Sequence, residues 1–195
     1  MSAMAEWEER DAGRYFVTPP IKKGSPWTEQ VLHRFQAENS DGANPAAGVI
    51  FDSDGNLFGT TYAGPQNGFG TVFEVAKPVG ESHSWKETLL YRFTDGNDGA
   101  YPSAGLSFDS TGNLNGTALG GRIPRGVVFR LRPQKEGGSW VFTVLYNFAG
   151  PPDGAYPAAS LVSSKSGALF STTQSGGTGQ GCGTGNCGTV FEAKP

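Results

Sequence analysis

The stretch Ala47-Gly-Val-Ile-Phe-Asp-Ser-Asp-Gly-Asn-Leu-Phe-Gly-Thr-Thr61 holds two short β-prone runs on either side of Asp54-Gly55. Asp-Gly accepts the positive φ angles of a tight turn, so the two runs read as an antiparallel hairpin. The same stretch returns from Ala104 to Ala118 and from Ala159 to Thr173. On its N-terminal side each copy carries an Asp-Gly-Ala turn, at Asp41, Asp98 and Asp153. A proline follows four residues later, at Pro45, Pro102 and Pro157. On its C-terminal side comes a third run: Thr71-Val-Phe73, Val127-Val-Phe129 or Thr189-Val-Phe191. The fourth run is Trp27-Thr-Glu-Gln-Val-Leu-His-Arg-Phe35, repeated as Trp85-Lys-Glu-Thr-Leu-Leu-Tyr-Arg-Phe93 and Trp140-Val-Phe-Thr-Val-Leu-Tyr-Asn-Phe148.

Each copy therefore contains four strands, exemplified by A (Gly48 to Phe51), B (Asn56 to Thr61), C (Thr71 to Val75) and D (Trp85 to Phe93). Internal repetition of four short antiparallel strands predicts an all-β fold made of β-propeller blades. The repeats run over about 36–93, 94–148 and 149–195. Residues 13–35 add an earlier C and D, because Gly13-Arg-Tyr-Phe-Val-Thr-Pro-Pro20 resembles Gly70 to Pro78. The chain thus divides into a flexible acidic segment, 1–12, and a single domain, 13–195. Three blades do not close a ring that normally takes about four to eight, and open edges invite strand pairing. The expected solution is a homodimer forming one six-bladed ring, each copy lending its D strand to the other's last blade.

Composition agrees with this reading. Thirty of 195 residues are glycine, while 12% are aromatic, which separates the chain from a disordered glycine-rich one. A net charge of −3 with no basic stripe argues against nucleic acid as a partner. No apolar run approaches the ~20 residues of a membrane-spanning helix. The polar start from Met1 to Gly13 lacks the apolar centre of a secretory signal, so the expected extracytoplasmic location would need a leader outside this chain.

The pattern Asp-Gly-Ala-x-Pro-x-Ala-Gly-Leu, Asp-Ser-x-Gly-Asn-Leu-x-Gly-Thr-Thr and Gly-Thr-Val-Phe-Glu resembles the tandem "GloVer" repeats of bacterial surface or exported proteins, from about Gly13 onward. That family is named for its repeat and implies no activity. The hairpin from Gly48 to Phe58 also resembles the blade signature of six-bladed NHL-type and gluconolactonase-like propellers. The copies depart from the pattern at Asn115 and Ala118, which replace Phe58 and Thr61. In the third copy Ser166-Gly-Ala168 replaces Asp54-Gly-Asn56.

Candidate chemistry begins with the recurring acids. Asp41, Asp98 and Asp153, with Asn44, would ring a channel mouth and bind a divalent cation such as calcium, a hard ion that takes oxygen ligands. The competing reading is turn chemistry, in which Asp accepts backbone N–H bonds. Asp52 and Asp109 read as hairpin caps. His33 takes the place of Tyr91 and Tyr146 and reads as a packing variant; His83 lies in the loop before Trp85. The nucleophile elbow Gly-x-Ser-x-Gly is absent. The recurrent tryptophans, Tyr91, Tyr146, Phe35, Phe93 and Phe148 read as core. Tyr101 and Tyr156, after the Asp-Gly-Ala turns, are candidate sugar-stacking residues. Cys182 and Cys187 sit in a lengthened B-to-C loop of the third copy, where a disulfide is expected; a zinc site would need two further ligands.

The expected function is a propeller repeat module for binding or scaffolding, directed at carbohydrate, a small molecule or protein. The alternative is a metal-dependent hydrolase of esters, lactones or phosphotriesters using the channel carboxylates. An inert fragment of a larger surface protein is the third reading.

Overall fold

A computed structural model of the chain describes residues 14–16, 29–38, 41–82, 84–122, 125–134, 139–179, 181 and 187–194. The segment 1–12, Trp27, His83 and Cys182 lie outside the described residues. Four antiparallel sheets follow one another along the chain. The first pairs β1 (Arg14–Phe16) with β2 (Val31–Arg34). The second has the order β3 (Ile50–Phe51), β4 (Leu57–Thr61), β5 (Thr71–Ala76) and β6 (Lys86–Arg92). The third repeats it with β7 (Ser107–Phe108), β8 (Leu114–Ala118), β9 (Val127–Arg132) and β10 (Val141–Asn147). The fourth has β11 (Val162–Ser163), β12 (Leu169–Thr172) and β13 (Val190–Ala193). The A–B–C–D organisation read from the sequence is thus the sheet organisation, with strand A only two residues long.

Registers repeat between copies. Leu57 opposes Val75 as Leu114 opposes Leu131 and Leu169 opposes Ala193. The hairpin turns contain Gly55, Gly112 and Gly167 at φ of +88°, +82° and +85°, the left-handed region that Asp-Gly was expected to supply. Inside strand B, glycine serves close approach: a Cβ on Gly59 or Gly116 would lie 2.5 Å from Cζ of Phe73 or Phe129. In these two copies the tip of the strand C phenylalanine ring therefore sits over a position without a side chain.

One irregularity recurs three times. Between strands C and D the register skips Leu32, Leu90 and Leu145, so each D strand carries a bulge at the same leucine. An extra residue resets the in–out alternation of the strand beyond it. Leu90, Tyr91 and Phe93 consequently all pack in one cluster toward the following sheet.

That packing joins the sheets in sequence. Phe58, Val72 and Phe93 of the second sheet meet Leu106, Leu114, Phe129 and Leu131 of the third. Leu32 and Phe35 meet Leu57, Phe73 and Val75 across the preceding interface. Val128, Leu145 and Phe148 meet Leu161, Leu169 and Phe191 across the last one. Thr60 Oγ1 donates to the Ala104 carbonyl across two sheets (3.1 Å). Near the A strands, a Cβ on Gly105 would approach both Ser160 Oγ (2.9 Å) and the Gly48 carbonyl (3.4 Å), so three successive copies come close there.

The series ends on an uncovered face. Val162, Phe170 and Val190 occupy the positions of Ile50, Phe58 and Val72 in the repeat. Phe58 and Val72 are 3% and 0% exposed under the following sheet, whereas Phe170 and Val190 are 38% and 83% exposed. Among the described residues no strand pairs with the outer edge of β13, and β2, the D strand expected to be shared, pairs with β1.

Candidate functional site

The three repeat aspartates have closely similar surroundings. Each closes the D-to-A loop by pairing with the side chain at one position of its own D strand and by accepting from a backbone N–H just beyond that strand. Asp41 pairs with His33 Nε2 (3.2 Å) and accepts from Gln36 N (2.8 Å). Asp98 accepts from the Tyr91 hydroxyl (2.9 Å), Thr94 N, Thr94 Oγ1 and Gly96 N. Asp153 accepts from the Tyr146 hydroxyl (2.6 Å) and Ala149 N (2.7 Å). Burial, then the Asp98 hydrogen bond, pushes the Tyr91 phenol above its usual pKa; the Asp153 hydrogen bond, then burial, raises that of Tyr146. Such bonding is turn chemistry. Among the described residues, Asp41, Asp98 and Asp153 do not come together as one group of ligand atoms.

Asn44, Tyr101 and Tyr156 share a left-handed backbone, at φ of +56°, +57° and +57°. Their peptide groups dock the D-to-A loop onto B-to-C loops: Tyr101 N donates to Phe69 O (2.7 Å) and Tyr156 N to Arg125 O (2.8 Å). The Tyr101 ring stacks on Tyr62 with centroids 5.0 Å apart and also meets Phe69 edge-on. Tyr156 is 43% exposed.

At the opposite end of the sheets, Asp52 and Asp109 cap their hairpins. Asp52 accepts from Asp54 N, Asn56 N and Asn56 Nδ2. Asp109 accepts from Thr111 and Asn113, backbone and side chain alike, with Arg130 Nη2 3.5 Å away. Burial works against the Asp109 carboxylate, but the bonds from Asn113 and Thr111 outweigh it and hold its pKa at about 2. Cys187 is disulfide-bonded.

A further cluster joins two sheets. His33 from β2, Asp41 from the following loop and Glu87 from β6 place one ligand atom each within 4.8 Å of one another, all three half-buried. Among the described residues Glu87 Oε1 is buried without a hydrogen-bond partner. Burial, then the charge of Asp41, raises the Glu87 carboxyl to about 7. Sequence reading picked out Asp41 and noted His33 but missed Glu87. The available signal was that His33 and Glu87 fall at the two positions that hold Tyr91 and Phe142 across the next interface.

Repeated four-stranded sheets with repeated turn bonding define an all-β tandem-repeat protein. The chain belongs to the Gloeobacter/Verrucomicrobia repeat family, whose family model matches residues 15–195. No curated protein matches the chain.

Proposed function

We propose that the chain is an arc of a β-propeller that acts as a self-assembling scaffold, closing its ring with a second copy. The observation that carries this reading is the apolar face of Val162, Phe170 and Val190. Its counterparts in the preceding copies lie under another sheet of the same repeat, so the surface that fits it best is again such a sheet. Apolar burial drives association of this kind. Three A–B hairpins per chain, doubled in a pair of copies, give about six blades, within the range of ordinary propellers. If β2 of one copy completes the fourth sheet of the other, it exchanges its β1 partner for β13. The disulfide at Cys187 suits an oxidising, extracytoplasmic setting.

Light scattering at micromolar concentration tests the scaffold. The expected mass is that of two chains, falling to one chain in Phe170→Lys/Val190→Lys while the far-ultraviolet circular dichroism is kept. A wild-type chain that stays monomeric overturns the reading, as does a charged variant that keeps the doubled mass.

A second reading, carbohydrate binding by the assembled scaffold, is favoured by the Tyr62–Tyr101 stack, where Tyr62 is 38% exposed. Aromatic faces bordered by polar loops suit sugar rings. A glycan array with Tyr62→Ala as control decides it: signal lost with the ring supports binding there, and signal indifferent to it refutes binding there.

A further inference from the structure

We infer that His33, Asp41 and Glu87 form a binding site for a divalent transition-metal ion, best matched by zinc, which ties the β1–β2 sheet to the sheet that follows it. The ligand set is one imidazole and two carboxylates drawn from two sheets and a loop. Zinc accepts His nitrogen at about 2.0–2.1 Å and carboxylate oxygen at about 2.0–2.2 Å, which puts neighbouring donors of a tetrahedral ion about 3.4 Å apart. His33 Nε2 and Asp41 Oδ1 stand 3.2 Å apart, already close to that spacing. Every separation in the group is within 4.8 Å, so closure asks for a movement of about 1.5 Å at most. With its proton on Nδ1, His33 offers the Nε2 lone pair, and a water completes the fourth position.

Two further observations point to an occupant. Among the described residues Glu87 Oε1 is buried and without a hydrogen-bond partner, beside a second carboxylate. Buried polar atoms are normally satisfied, and two neighbouring carboxylates repel. A cation relieves both. The comparison between interfaces is independent of that argument. At the next interface the equivalent positions hold Tyr91 and Phe142, whose rings stack with centroids 3.9 Å apart. The first interface therefore lacks the aromatic contact of the second and has metal-ligating groups at the same two places. Imidazole favours zinc and its transition-metal neighbours over calcium, which takes six to eight oxygens. Among the described residues the group contains no cysteine.

The test uses the whole chain, stripped with chelator and titrated with Zn²⁺ by calorimetry, with Co²⁺ as a visible-absorption probe. Expected are one saturable equivalent per chain, a higher melting temperature with Zn²⁺ than with Ca²⁺, and Co²⁺ bands that Zn²⁺ displaces. Glu87→Gln should weaken binding about tenfold or more. His33→Tyr/Glu87→Phe, which installs the residue pair of the next interface, should melt cooperatively in chelator yet show no saturable Zn²⁺ binding. Failure of the wild type to bind one equivalent overturns the proposal. So does retention of full affinity by the double variant, or an equal response to Ca²⁺. If the double variant does not fold, Glu87→Gln alone decides: undiminished affinity refutes the site.

Discussion

Tyr91 and Phe142 lie face to face, ring planes 8° apart, across the interface between the second and third sheets. Phe142 in turn stacks on Phe129, and Phe93 meets both edge-on, so four aromatic side chains from two sheets form one continuous contact. Tyr91 is also the hydroxyl donor to Asp98, which links the core contact to the loop that leads into the next copy.

Replacing Phe142 with alanine should therefore cost about 3 kcal/mol, since a large ring is lost from a packed interface. A double-mutant cycle of Tyr91→Leu and Phe142→Leu should give a coupling of about 1 kcal/mol. Tyr91→Phe keeps the stack and removes only the hydroxyl. Denaturant unfolding measures all of these, and a coupling near zero would mean that the stack adds nothing beyond buried area.

The Asp98 loop should be the most sensitive of the three turn aspartates. Asp98 is 8% exposed and its carboxylate accepts four bonds, whereas Asp153 is half-buried and accepts two. Asp98→Ala leaves buried donors unpaired and should destabilise by about 2–3 kcal/mol, with Asp153→Ala at about 1 kcal/mol. Equal losses at the two positions would contradict this ranking.

Gly116→Ala should destabilise by about 1–3 kcal/mol, because the new methyl would meet Phe129 Cζ at 2.5 Å and Leu106 Cδ2 at 2.9 Å. Adding Phe129→Leu should recover part of the loss by making room. A neutral Gly116→Ala would show that the ring moves aside freely.

Acid should weaken the fold partly through Asp109. Its folded pKa of about 2 lies below the usual carboxylate value, so its contribution is present above about pH 4 and fades as pH falls toward 2. In a series of thermal melts from pH 6 to pH 2, Asp109→Asn should be less stable at pH 6. The gap to wild type should narrow at the acid end, and a gap that widens there would reverse the assignment.

How much of this was legible beforehand depends on the range of the interaction. The Asp-Gly turns, the four strands per copy and the C–D start before the first complete copy were readable because hairpins are local. Turn residues and alternating apolar runs fix them within some fifteen residues of chain. The three aspartates are legible for the same reason, since Asp-Gly marks a turn in which the carboxylate accepts backbone N–H bonds. The recurring bulge at Leu32, Leu90 and Leu145 left no such mark, since a leucine in a strand looks alike whether paired or skipped.

What the sequence determined alone is the unit: four short strands, their turns and their threefold repetition, all written in neighbouring residues. What only the tertiary structure decided is which faces and which distant residues meet. Glu87 became a neighbour of His33 and Asp41 because one sheet lies over another, and Phe170 and Val190 became exposed because no sheet in the described chain lies over theirs. Repeats of one pattern carry nearly the same local code, so what each copy packs against, together with the few substitutions between copies, sets their differences in environment.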